Sequence, residues 1–222
     1  MRFTELDLSQ TLQRAVNDMG FSEATPIQAE AIPPALAGRD VIGCAQTGTG
    51  KTAAFVLPIL QRLLRDQSDT KHPRAVILAP TRELVIQVTD HARSLAGHTP
   101  LRMAAIYGGA RMKSQIIQLR RGVDLIIATP GRLQDHMRRK NVKFKDLQVL
   151  VLDEADRMLD MGFLPDIKRI LKHVPAKRQT MLFSATFPKE IERLAAQTLH
   201  KPCLLYTSPS PRDCKVDLVC RL

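Results

Sequence analysis

Asp153 and Glu154 end an apolar run, Leu147 to Leu152. Two acids at the end of a buried strand are costly unless something uses them. The stretch Ala45-Gln46-Thr47-Gly48-Thr49-Gly50-Lys51-Thr52 suggests the use. It follows an apolar segment, Asp40 to Cys44, and precedes a helical pattern from Ala53 to Leu64. A strand, a glycine-bearing turn and a helix start form a phosphate cradle, because backbone N–H groups and the helix terminus converge on an anion. In that cradle Gly48 and Gly50 let the backbone come close, Lys51 reaches the outer phosphates, and Thr52 offers a hydroxyl to Mg²⁺. Asp153 would then hold Mg²⁺, and Glu154 would orient and deprotonate an attacking water. The strict pattern has glycine where Ala45 stands, so a plain strand–helix turn is the bland alternative. For the acids, the alternative is a helix start enriched in carboxylates. It would account for Glu154 and Asp156 but not for Asp153.

These groups must be held by a scaffold, and the scaffold is legible as repeated strand and helix. Ser9 reads as the N-cap of a helix that Gly20 stops, and Thr25 as the cap of another with Pro26 at its first position. Gln28 follows; its amide could read both edges of an adenine, or could simply be a solvated helix residue. The strand Arg74 to Ala79 runs into Pro80, Thr81, Arg82 and Glu83, with Thr81 capping a helix to about Leu95. Met103 to Tyr107 ends in Gly108 and Gly109, and Asp124 to Ala128 ends in Thr129, Pro130, Gly131 and Arg132. Each turn could clamp one phosphate at the carboxyl edge of a parallel sheet, or be an ordinary cap. Gln179 to Phe183 ends in Ser184, Ala185 and Thr186, whose hydroxyls could bond Asp156 or cap the next helix.

A length of 222 residues suits one large α/β domain, or a domain plus a tail. The net charge of +11 points to a polyanionic partner. With only 4% aromatic residues, phosphate contact is favoured over base stacking. No apolar run of membrane-spanning length occurs, and Met1 to Glu5 does not read as a signal peptide. The cysteines show no zinc spacing and fit a reducing compartment, so a cytoplasmic location is expected.

Taken together and in order, the phosphate loop, Pro80-Thr81-Arg82-Glu83-Leu84, Thr129-Pro130-Gly131-Arg132, Asp153-Glu154-Ala155-Asp156 and Ser184-Ala185-Thr186 resemble the motifs of a DEAD-box RNA helicase. The stretch from Gly20-Phe21 to Thr25-Pro26-Ile27-Gln28 resembles that family's Q motif, with Phe3 seventeen residues before Gly20. Arg157 to Phe163 resembles the bacterial-type branch. The family itself departs from the strict phosphate-loop pattern at the position of Ala45. The resemblance implies a RecA-like, doubly wound parallel sheet flanked by helices, ATP and Mg²⁺ as cofactors, and RNA as partner. It implies that Phe21 stacks on adenine, that Gln28 reads its edge, and that Thr47 to Thr52 bind the phosphates. Lys51, Asp153 and Glu154 would carry hydrolysis, with Thr52 and Asp153 on the metal. Ser184 and Thr186 would couple hydrolysis to strand separation. Pro80, Thr81, Arg82, Gly108, Gly109, Thr129, Pro130, Gly131 and Arg132 would grip the RNA backbone without reading its sequence.

The same resemblance implies a second RecA-like domain that supplies arginine fingers, and no such motif is found here. The chain is therefore expected to be a monomeric fragment, inactive or weakly active alone. A nucleotide-gated RNA- or protein-binding module without turnover is the alternative. The organisation expected is a domain over residues 1–202 and a disordered tail over 203–222. The tail carries Ser208-Pro209-Ser210-Pro211 and is read as non-native in origin, the alternative being a disordered natural terminus.

Overall fold

The computed structural model describes residues 1–46, 48–66, 68 and 70–206. Its centre is a seven-stranded sheet: β1 (Val41–Cys44), β2 (Ala75–Leu78), β3 (Met103–Ile106), β4 (Leu125–Ala128), β5 (Val149–Leu152), β6 (Gln179–Ser184) and β7 (Cys203–Tyr206). The strands are parallel and lie in the order β3-β4-β2-β5-β6-β1-β7. Parallel neighbours need crossover helices. The crossovers are α3 (Lys51–Arg65), α4 (Arg82–Leu95), α5 (Met112–Arg120), α6 (Pro130–Arg138), α7 (Ala155–Asp160) with α8 (Leu164–Leu171), and α9 (Lys189–Thr198), while α1 (Gln10–Asp18) and α2 (Pro26–Leu36) precede β1.

Both sheet faces are covered, which is why the strands are apolar throughout rather than alternating. Val41, Ile77, Ile127, Val151 and Phe183 pack on one face with Leu12, Ile27, Phe55 and Val88 from α1 to α4. Ile42, Leu78, Ile126, Leu152 and Leu182 pack on the other with Leu133, Met158, Ile170 and Leu194. Gly43 lacks a side chain for a steric reason: a Cβ there would lie 2.5 Å from the ring of Phe183.

Two expectations are corrected. Cys203–Tyr206 is not tail but the edge strand β7, in register with Val41–Cys44, so the ordered domain runs to at least Tyr206 rather than ending at Pro202. Cys203 and Leu205 pack on one sheet face and Leu204 on the other. The remainder of the expected tail, 207–222, lies outside the described residues. Ser9 holds the N-cap position of α1, yet its hydroxyl is buried and makes no cap bond. The Ser9 N–H is held separately, donating to Gln61 Oε1 at 2.6 Å. Thr81 and Gly20 act as expected. The Thr81 hydroxyl accepts the Leu84 N–H at 3.2 Å, and Gly20 closes α1 with φ of 73°.

Candidate nucleotide and RNA site

The strand order divides the motif-bearing loops into two groups. Ser184, Asp153 and the phosphate loop follow β6, β5 and β1, which are adjacent. Pro80–Arg82, Gly108–Gly109 and Thr129–Arg132 follow β2, β3 and β4, which are also adjacent. All are at the carboxyl edge of one sheet, where ligands of doubly wound folds bind.

In the first group, Gly48 and Gly50 have φ of 84° and 93°, the left-handed region that side chains disfavour. Gly50 also has no room, since a Cβ would lie 2.6 Å from Nε2 of Gln28. Thr47 lies outside the described residues. The Thr49 hydroxyl donates to the Gln46 carbonyl at 2.8 Å, closing the turn. Lys51 and Thr52 open α3, so their side chains start at the helix terminus that faces the cradle. The Lys51 ammonium is buried and donates to the Ala45 carbonyl at 2.9 Å.

Asp153 is 3% exposed, and its Oδ1 has no hydrogen-bond partner among the described residues. Burial pushes its carboxyl up to about 6, opposed by the Lys51 charge and reinforced by Glu154. A buried carboxylate oxygen left unpaired is expensive, and a divalent cation would satisfy it. No group of three or more His, Cys, Asp or Glu that could hold a metal exists among the described residues. One carboxylate, one hydroxyl and substrate phosphates are a donor set that Mg²⁺ accepts, so the residues fit that ion. Glu154 is buried and sits at the N-cap of α7 with φ of 51°, a strained backbone for a side-chain-bearing residue. The Arg157 guanidinium lies 3.5 Å from its Oε2.

Asp156, in the first turn of α7, ties that helix to the end of β6. Its Oδ2 accepts from the Thr186 N–H at 2.9 Å and the Thr186 hydroxyl at 3.0 Å. The Ser184 hydroxyl accepts the Asp156 N–H at 3.1 Å and donates to the Thr186 carbonyl at 2.7 Å. The bond expected between these hydroxyls and Asp156 is present.

Gln28 is buried rather than solvated. Its Oε1 accepts the Thr25 N–H, and its Nε2 donates to the Gly50 carbonyl, each at 3.0 Å. One donor and one acceptor site of the amide remain. Phe21 is half-buried, its ring stacked on Phe3 at 6.3 Å and on His91 at 6.0 Å between centroids. A purine stacking there has to share the ring with two protein partners.

In the second group, the Arg82 guanidinium is exposed and lies 5.2 Å from the centre of the Tyr107 ring. It also packs beside Gly109, whose φ is 80°. Arg132 is half-buried and donates to the Ala110 carbonyl at 3.2 Å, not to an acid. Gln115 ties these turns together: it donates to the Tyr107 carbonyl at 3.0 Å, and its Oε1 lies 2.9 Å from Nε2 of the buried His136. Burial, with the nearby Arg132 charge, lowers the His136 pKa, so the imidazole is neutral near pH 7. Reading the sequence missed Gln115 and His136; neither has a local signal, because α5 and α6 meet only in the fold.

The DEAD/DEAH box helicase family model matches residues 25–194. The chain is 48% identical over 204 residues to "ATP-dependent RNA helicase CshA" of Listeria monocytogenes, covering 92% of this chain and 39% of that protein. A protein of the same name from Limosilactobacillus reuteri is 49% identical, over 91% of this chain and 40% of its own length. The chain thus spans about two-fifths of the length of these curated relatives. A DEAD box protein from the hyperthermophile Methanococcus jannaschii superposes with a TM-score of 0.88 at 38% identity, covering 94% of this chain and 56% of that one. With its RecA-like sheet and its motifs gathered along one edge, the chain belongs to the DEAD/DEAH box helicase family.

Proposed function

We propose that the chain is the first RecA-like domain of an ATP-dependent RNA helicase that binds ATP–Mg²⁺ on β5-β6-β1 and an RNA backbone on β3-β4-β2. The observation that carries this is the unpaired Oδ1 of Asp153 at the edge shared with Lys51 and Thr52. Thr52 and Asp153 would hold the ion, which on binding neutralises charge on the β- and γ-phosphates. The Lys51 ammonium adds a fixed positive charge. Glu154 accepts a proton from the water that attacks the γ-phosphorus, and ADP leaves with the displaced bond electrons. Asp156, bonded to Ser184 and Thr186, links the hydrolytic strand to β6, from which a change of nucleotide state is passed on. Arg82, Gly108–Gly109 and Arg132 hold phosphates and sugars, so binding is independent of RNA sequence.

A second RecA-like domain, in the length the relatives have beyond this chain, supplies the arginine that stabilises transition-state charge. A group of that kind is worth on the order of 10³–10⁵ in rate in phosphate-loop enzymes. The same reading has the protein acting as a monomer in the cytoplasm. Glu154→Gln, made in protein of the relatives' full length, tests it. ATP binding should persist while turnover falls by a factor of about 10² or more. Unchanged turnover removes Glu154 from the mechanism, and a chain that binds ATP and RNA but gains no turnover from a second domain is a nucleotide-gated binding module.

A further inference from the structure

Positive charge also gathers at the opposite edge of the sheet. Two clefts of about 200 and 350 Å³ share Lys140, Val142 and Lys143 in their walls. Lys71, Pro73 and Arg120 help line the first, and Phe144, Lys145 and His173 the second. Lys71 to Pro73 lead into β2 and Val123 leads into β4, so this surface lies at strand amino ends, away from the motifs.

The cations there are not neutralised. No acid lines either cleft, and none of Lys71, Arg120, Lys140, Lys143 or Lys145 forms an ion pair among the described residues. Of the acids adjoining the clefts in sequence, Asp124 is paired with Arg74 at 2.7 Å and accepts the Arg102 N–H at 2.9 Å, whereas Asp146 accepts the Thr70 hydroxyl at 2.6 Å and keeps its charge, a single carboxylate beside the five cations named above. The basic face continues past Gly122, where a Cβ would meet the Arg102 guanidinium at 3.1 Å and the Lys71 backbone at 3.3 Å.

Helix-dipole complementarity accounts for Arg120 and Lys140, which end α5 and follow α6. It does not account for Lys71, Lys143 and Lys145, which stand on loops. Lys140 itself closes α6 with φ of 56°, where glycine is the favoured residue. Its N–H bonds the Met137 carbonyl and the next N–H, of Asn141, bonds that of His136, each at 2.9 Å.

We infer that this face is a second contact surface for RNA phosphates, holding a segment of the polynucleotide other than the one on the carboxyl edge. It rests on RNA being the partner of the motif edge. Each four-residue strand spans roughly 13 Å, so a strand lying along one edge does not touch the other. Apart from the His72 and His173 imidazoles the walls offer ammonium and guanidinium groups, and the Phe144 ring is buried, so contact is chiefly with phosphate and carries little base preference.

Anisotropy titrations of this chain with a labelled oligouridylate long enough to reach both edges test the inference. Lys140→Gly/Lys143→Ala/Lys145→Ala removes three charges, and the glycine suits the left-handed turn. Lys168→Ala/Lys189→Ala/Arg193→Ala removes the same charge from exposed positions on α8 and α9. The first triple variant should bind about tenfold more weakly at 0.1 M salt and flatten the log–log salt slope by about 2, near 0.7 per lost phosphate contact. The control should bind like the parent within about twofold. Lys71→Ala/Arg120→Ala attacks the same face without touching the α6 turn and should also weaken binding. Equal losses in test and control variants, or no loss in either, overturn the inference. So does loss of binding to phosphatidylserine vesicles or polyglutamate with RNA affinity intact. Arg132→Ala is read separately: if it alone is silent, the motif-edge reading fails while the comparison of the triple variants still decides this one.

Discussion

The side-chain amide of Gln28 donates to the carbonyl of Gly50 across 3.0 Å, fastening the start of α2 to the phosphate loop. The residue expected to recognise the base is thus also a strut for the loop expected to hold the phosphates. Its other bond, from the Thr25 N–H, fixes the amide's orientation.

Gln28→Ala should therefore do more than remove base discrimination. It deletes two buried hydrogen bonds, each worth about 0.5–1.5 kcal/mol, and frees the loop. ATP affinity should fall by about tenfold or more, and GTP affinity should fall too, though less. Isothermal titration with both nucleotides measures this; a loss confined to ATP would mean that the strut does not matter.

Asp153→Asn follows from burial. The folded carboxyl titrates near 6 against an ordinary value of 3.8. A raised pKa in the folded state means that the group favours folding when protonated. That contribution is complete below about pH 4 and is lost as pH rises through about 6. At pH 7 and without metal, Asp153→Asn should stabilise the domain by roughly 1–3 kcal/mol while removing Mg²⁺-dependent nucleotide affinity. Urea melts at pH 4 and pH 7 check it. A variant equally stable to the parent at pH 7 would show that Asp153 carries no burial penalty.

The pair Asp156 and Thr186 should behave as one unit. Thr186 offers both its N–H and its hydroxyl to the same carboxylate oxygen. A double-mutant cycle with Asp156→Ala and Thr186→Ala should give a coupling of about 0.5–3 kcal/mol in stability, with ATP binding retained. Additive losses would break the proposed link between β5 and β6.

The strands and their order of motifs were legible because a parallel sheet buried on both faces leaves apolar runs that end abruptly in polar turns, as Leu152 gives way to Asp153. Thr81 and Gly20 were legible because caps are local. What escaped depended on distance in sequence. Gln61 takes the Ser9 N–H from 52 residues away, a contact no local rule contains. Gln115 and His136 look like surface residues of two helices until α5 and α6 meet over Tyr107. Cys203–Tyr206 was masked by the Ser-Pro run after it, although only pairing with β1 decides whether four apolar residues become a strand. Gln28 was read as a reader of adenine, and the fold adds a structural duty that no helix-local rule contains.

The central claim is that one sheet edge carries nucleotide on β5-β6-β1 and RNA on β3-β4-β2. Amide chemical-shift mapping of the labelled chain, with ATP–Mg²⁺ and a short oligouridylate added in turn, tests it most directly. ATP–Mg²⁺ should move Gln28, Gly48 to Thr52, Asp153 to Asp156 and Ser184. RNA should move Arg82, Gly108, Gly109 and Gly131 to Arg132. Nucleotide-induced shifts centred on the second group, or RNA that leaves Arg82, Gly109 and Arg132 unmoved, would contradict it.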